Sequence, residues 1–115
     1  MDIESFRSYC LSKKMVSESL PFGDDTLVFN VLDRVFAVAD ITLFESINLK
    51  CDPEQAIMLR EQYPAVQPGY HMNKKHWNTV LIDGSVPDRI LQQWIDDSYR
   101  LVVDKMPKKM KQQLL

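Results

Sequence analysis

The stretch Pro68-Gly69-Tyr70-His71-Met72-Asn73-Lys74-Lys75-His76-Trp77-Asn78-Thr79 gathers residue types that recognise anions and nucleic acid. Lysines attract phosphate, Asn and Thr give directional hydrogen bonds, and Tyr and Trp offer stacking faces. The plainer structural alternative is a β-hairpin arm with Trp77 as its core anchor and Lys74 and Lys75 in solvent. Other chemistries find less support. His71 and His76 are the only histidines, Cys10 and Cys51 the only cysteines, and no CxxC, HxH or HExxH spacing occurs, so no metal site is expected. Asp24-Asp25 and Asp96-Asp97 are adjacent pairs whose side chains point apart, so neither makes a shared carboxylate site. Cys51 precedes a helix start, where a thiolate gains stability, and His71 or His76 would have to serve as its base. The competing reading of Cys51 is a packed thiol at a strand–helix junction. GxSxG, GxGxxG and GxxxxGK patterns are absent, and Gly23, Gly69 and Gly84 cannot build a phosphate cradle. No catalysis and no cofactor are expected.

Hydrophobic spacing predicts the elements that position these residues. Residues 2–15 read as a helix with Asp2 as N-cap and Ile3, Phe6 and Cys10 as its apolar stripe. Glu4 near its start and Lys13-Lys14 near its end suit the helix dipole. Residues 18–25 read as a short extended piece and a turn around Pro21 and Gly23. Residues 26–31 and 34–39 alternate as strands, with Leu27, Phe29 and Val31 facing one way and Phe36 and Val38 sharing a face. Leu32-Asp33 closes their hairpin without the usual Asn-Gly or Asp-Gly signal. Residues 43–50 make a third strand that buries Ile47 and Leu49. Asp52-Pro53-Glu54-Gln55 opens a helix by capping, proline placement and capping-box spacing, and that helix stops before Pro64. Residues 65–82 are extended and interrupted at Pro68-Gly69. Asp83-Gly84 turns the chain, and Pro87 opens a long helix whose apolar face includes Ile90, Leu91, Trp94, Ile95, Leu101 and Val102. Pro107 ends or kinks it. The order helix, strands, helix, strands, helix predicts an α+β two-layer sandwich, an antiparallel sheet with helices packed on one face, in a single domain spanning 1–115.

Composition fits that class. The 115 residues carry 14 Lys+Arg and 16 Asp+Glu, a net charge of -2, with 45% hydrophobic residues. Single domains commonly run ~100–150 residues, which leaves no room for a two-domain cofactor enzyme. No apolar run approaches the ~20 residues that span a bilayer. Met1-Asp2-Ile3-Glu4-Ser5 lacks the basic start of a secretory signal, so a cytoplasmic monomer with free thiols and no membrane partner is expected. The net charge conceals an asymmetry. Acids predominate up to Glu61, bases predominate beyond it, and from Lys105 onward lysines occur with no acid. A polyanion responds to local potential, so a small negative total does not exclude one as partner.

Several segments together carry a resemblance. Leu20-Pro21-Phe22-Gly23, Asn48-Leu49-Lys50-Cys51-Asp52-Pro53-Glu54, Pro68 through Trp77, and Ser98-Tyr99-Arg100-Leu101-Val102-Val103 resemble the MmcQ/YjbR family, in family order and over nearly the whole chain. His-Met-Asn-Lys-Lys-His-Trp is the specific stretch. The chain departs at Asp33-Arg34-Val35-Phe36, where the family often has a glycine-lysine turn. The resemblance implies a small bacterial α+β protein whose topology is similar to frataxin-like and secretion-chaperone-like folds. It implies DNA binding through a double wing of two hairpins, with Arg34, Lys50, Asn73, Lys74, Lys75 and His76 as the carried-over contacts and Trp77 structural. Two alternatives stay open: a protein-binding adaptor, and a small-molecule or anion site around Tyr70, His71 and Cys51.

Overall fold

The computed structural model describes residues 1–115. Its elements are α1 (Ile3–Leu11), β1 (Val16–Ser19), β2 (Thr26–Val31), β3 (Arg34–Asp40), β4 (Ser46–Lys50), α2 (Pro53–Gln62), β5 (Val66–Pro68), β6 (Trp77–Leu81), α3 (Asp88–Asp104) and α4 (Lys108–Lys111). The strands form one six-stranded sheet in the order β1-β2-β3-β4-β6-β5, antiparallel throughout.

Register places Leu27, Ala39, Ile47, Val80 and Val66 in one row across β2 to β5. All of these residues belong to the buried core. The helices cover this face: Phe6 of α1 meets Phe29 edge-on with ring centroids 5.5 Å apart, and Tyr99 of α3 meets Phe36 the same way at 5.4 Å. Burying each such side chain contributes ~1.5–3 kcal/mol, so this face holds the two layers together. The row Val28, Val38, Asn48, Thr79 and Gln67 lies on the other face.

The boundaries differ from expectation where the backbone turns left-handed. α1 ends at Leu11, because the chain bends at Met15 (φ 60) to enter β1. β1 is a true edge strand where only an extended piece was expected. Phe44 (φ 48) shortens the third predicted strand to Ser46–Lys50. A bulge in β3 corrects the predicted facing of Phe36 and Val38. The register shift between Phe29 and Asn30 puts Phe36 and Ala37 both into the core and sends Val38 to the other face. The β2–β3 turn has Leu32 at φ 47 and Asp33 at φ 69, the geometry that two-residue hairpins favour, here without glycine. Asp52 caps α2 as read, its carboxylate accepting from Glu54 N at 3.2 Å and Gln55 N at 3.3 Å.

Candidate nucleic-acid interface

Antiparallel pairing sends the β2–β3 turn, the end of β4 and the start of β6 to the same end of the sheet. Arg34 pairs with Val31 beside that turn, and Lys50 pairs with Trp77. The end of α3 arrives there too, since Val102 and Lys105 share a hollow with Arg34, Val35 and Lys50. α4 follows, with Met110 Sδ 3.9 Å from Arg34 Nη2. The opposite end collects acids. Thr26 pairs with Asp40, Asp25 accepts from Thr42, Ile82 N donates to Glu45 O, and the N-terminal ammonium pairs with Asp88. This spatial asymmetry along the strands cuts across the one in the sequence: Arg34 and Lys50 come from the acid-rich part of the chain, and Asp88 from the base-rich part. Asp33, Asp52, Glu54 and Asp104 share the basic end, and Asp52 is engaged in capping α2.

Arg34, Lys50 and Lys105 line a hollow of ≈ 270 Å³. The ion pairs of the protein are Met1 N-terminus–Asp88, Arg7–Glu18, Lys13–Asp96 and Arg100–Asp97, so none of these cations has a carboxylate partner. Lys50 is half-buried. Burial first, then the charges of Lys105 and Arg34, hold its ammonium below the usual lysine range.

What brings the Lys50 end of β4 under α3 is Ser98. Ladder pairing of β3 and β4 stops at Ala37 and Leu49. Beyond it, the fully buried Ser98 hydroxyl accepts from Lys50 N at 2.9 Å and donates to Phe36 O at 2.5 Å. A side chain therefore replaces the next rung of the sheet.

The loop between β5 and β6 is built differently. Gly69 N donates to Trp77 O at 2.9 Å, and a Cβ on Gly69 would lie 2.8 Å from Trp77 Cβ, so glycine is required for this close approach. Asn73 Oδ1 accepts from Lys75 N at 2.9 Å and His76 N at 3.2 Å. Lys74 Nζ donates to Gly69 O at 2.9 Å. Arg60 of α2 donates to Asn78 Oδ1 at 2.7 Å, to Trp77 O at 3.3 Å and to Lys74 O, tying the loop to the helix. Asn73 and Lys74 are therefore turn-building residues here, and Asn73 keeps only its amide nitrogen uncommitted. Both lysines are exposed, but only the Lys74 ammonium is hydrogen-bonded within the loop, while His76 is half-buried with its carbonyl accepting from Cys51 N at 2.8 Å. Tyr70, 67% exposed, lies against His71 with ring centroids 4.0 Å apart and the rings tilted by 50°.

Of the expected contacts, the structure brings Arg34 and Lys50 into one hollow and places Lys75 and His76 on the second hairpin at the same end. Lys105 joins them; its only sequence signal was membership of the acid-free C-terminal lysine group. Cys51 follows the packed-thiol reading and not the thiolate alternative. Burial first, then the charges of Asp52 and Asp97, push its thiol up to about 11. It lines a cleft between α2 and α3 that neither Tyr70 nor His71 reaches, so the expected grouping of these residues does not form.

A family model described as YjbR matches residues 11–101. The chain belongs to the YjbR family. It is 35% identical over 107 residues to YbdF of Escherichia coli O157:H7, covering 92% of this chain and 88% of that one. It is 34% identical over 116 residues to YjbR of Escherichia coli K12, covering 100% and 98%. A crystal structure of a Deinococcus radiodurans protein superposes with a TM-score of 0.91 at 39% identity, covering 98% of this chain and 87% of that one. These neighbours share the α+β architecture, and the family has bacterial members. No helix of this YjbR-family protein is long and apolar enough to cross a membrane.

Proposed function

We propose that this YjbR-family protein is a non-enzymatic DNA-binding protein that holds the phosphate backbone at the basic end of its sheet. The supporting observation is the Arg34–Lys50–Lys105 hollow, whose cations lack carboxylate partners and whose neighbouring hairpin presents Lys75. The partly desolvated Lys50 attracts phosphate more strongly than a solvated lysine, because less water screens it, and the exposed Arg34 and Lys105 add their charge beside it. The β2–β3 and β5–β6 hairpins act as the two wings. Arg34 serves the first, and Lys75, His76 and the free amide nitrogen of Asn73 serve the second. The acids at the far end repel the duplex and orient its approach. In this reading the protein acts as a cytoplasmic monomer, where Cys10 and Cys51 stay free thiols.

Fluorescence anisotropy with a labelled 20-base-pair duplex tests this. The Arg34→Ala/Lys50→Ala/Lys105→Ala variant should bind about tenfold or more weakly at low salt, since lost phosphate contacts lower affinity for every sequence. Affinity equal to that of the unmodified protein overturns the assignment.

A further inference from the structure

The α2–α3 cleft is unused by the DNA reading. It has a volume of ≈ 310 Å³, at the lower bound of the ~300–1,000 Å³ typical of small-molecule sites. Its lining is apolar where the helices fail to meet over the sheet: Leu49, Leu59, Val66, Val80, Trp94 and Leu101. Asn78, 2% exposed, also lines it. Arg60 occupies its amide oxygen, while its amide nitrogen reaches only Ala56 O, at a long 3.5 Å, and retains donor capacity toward the cleft. Lys50 lines both this cleft and the basic hollow, and consecutive residues of α3, Leu101 and Val102, line one each. The cleft and the hollow therefore adjoin at Lys50.

We propose that cleft and hollow together form a binding site for a small organic anion with one carboxylate or phosphate end. The oxyanion sits on Lys50, Arg34 and Lys105, and the apolar body lies on Leu49, Leu59, Val80 and Trp94. An anion at that place compensates the partly buried ammonium, and an apolar body covers the half-buried Trp94 and Leu101 that wall the cleft. The rim limits the ligand further. Asp97, held by Arg100 at 3.7 Å, Asp52, which caps α2, and the exposed Asp104 line the cleft, whereas no carboxylate lines the hollow. They repel a second negative charge there. The ligand is thus charged at one end only, unlike a nucleic acid strand.

NMR titration of the full chain with octanoate, octyl phosphate, octanol and inorganic phosphate tests the proposal. Octanoate or octyl phosphate should saturably shift the amide signals of Leu49, Lys50, Asn78 and Val102, with a Kd about tenfold or more below that of octanol and of inorganic phosphate. Whichever head binds tighter identifies the oxyanion. Lys50→Met should remove the advantage over octanol; Lys105→Met serves if that variant loses its folded spectrum. Leu101→Trp, which fills the cleft from α3, should abolish octanoate binding and leave duplex affinity unchanged, separating this site from the DNA reading. Equal binding of octanol and octanoate, shifts confined to other surfaces, unimpaired octanoate binding by Leu101→Trp, or no binding of either amphiphile overturns the proposal.

Discussion

The Lys50 backbone N–H donates to Ser98 Oγ at 2.9 Å where β3 and β4 cease to pair. The same hydroxyl donates to Phe36 O, so one α3 side chain closes the gap and sets the end of β4 against the end of α3. The position of Lys50 beside Lys105 follows from this junction. Ser98→Ala leaves a buried donor and a buried acceptor unpartnered, which costs about 1–3 kcal/mol. Urea unfolding should show that loss.

Gly69→Ala forces its Cβ to within 2.8 Å of Trp77 Cβ and 3.0 Å of Trp77 O. Backbone and a buried ring must move, so destabilisation of about 1–3 kcal/mol is expected. Gly84→Ala meets open space and suffers only from its φ of 84, about 1 kcal/mol. Thermal unfolding of both variants checks the order.

Arg60 anchors the β5–β6 loop from α2 through Asn78, Trp77 and Lys74. Arg60→Lys keeps the charge but cannot reproduce the guanidinium fork. Hydrogen exchange at residues 73–77 should quicken, while the β2–β3 hairpin stays protected.

Alkaline pH should destabilise the protein. Burial pushes Cys10 up to about 12 and Cys51 to about 11, and burial together with the Asp96 hydrogen bond pushes Tyr9 to about 12. These groups release protons near pH 9.0 and 10.0 when unfolded, so the folded state holds more protons above that. Their contribution is complete below about pH 9 and disappears as pH rises toward 12. Denaturant midpoints between pH 7.5 and 11 should fall, and Cys10→Val should flatten the fall.

The sequence made the elements legible because each is driven by local rules. The period of Ile90, Leu91, Trp94 and Ile95, the capping by Asp52, and the alternation of Leu27, Phe29 and Val31 all act within a few residues. The bulge at Phe36 escaped, since its register depends on pairing with β2. Ser98 escaped as a junction because its partners lie 48 and 62 residues away. The Lys74-Lys75 pair was legible as positive charge. Only the loop geometry shows that the first ammonium is tethered to Gly69 O while the second has no such bond.

The most direct measurement is the salt dependence of duplex affinity. We expect log K to fall linearly with log salt, and each of Lys50→Ala, Lys75→Ala and Lys105→Ala to reduce the slope by about 0.9, the value for one phosphate contact on B-DNA. Arg89→Ala, near the acidic end beside Asp88, should leave the slope unchanged. Unaltered slopes in the basic-end variants, or an equal reduction by Arg89→Ala, would contradict DNA binding at this end of the sheet.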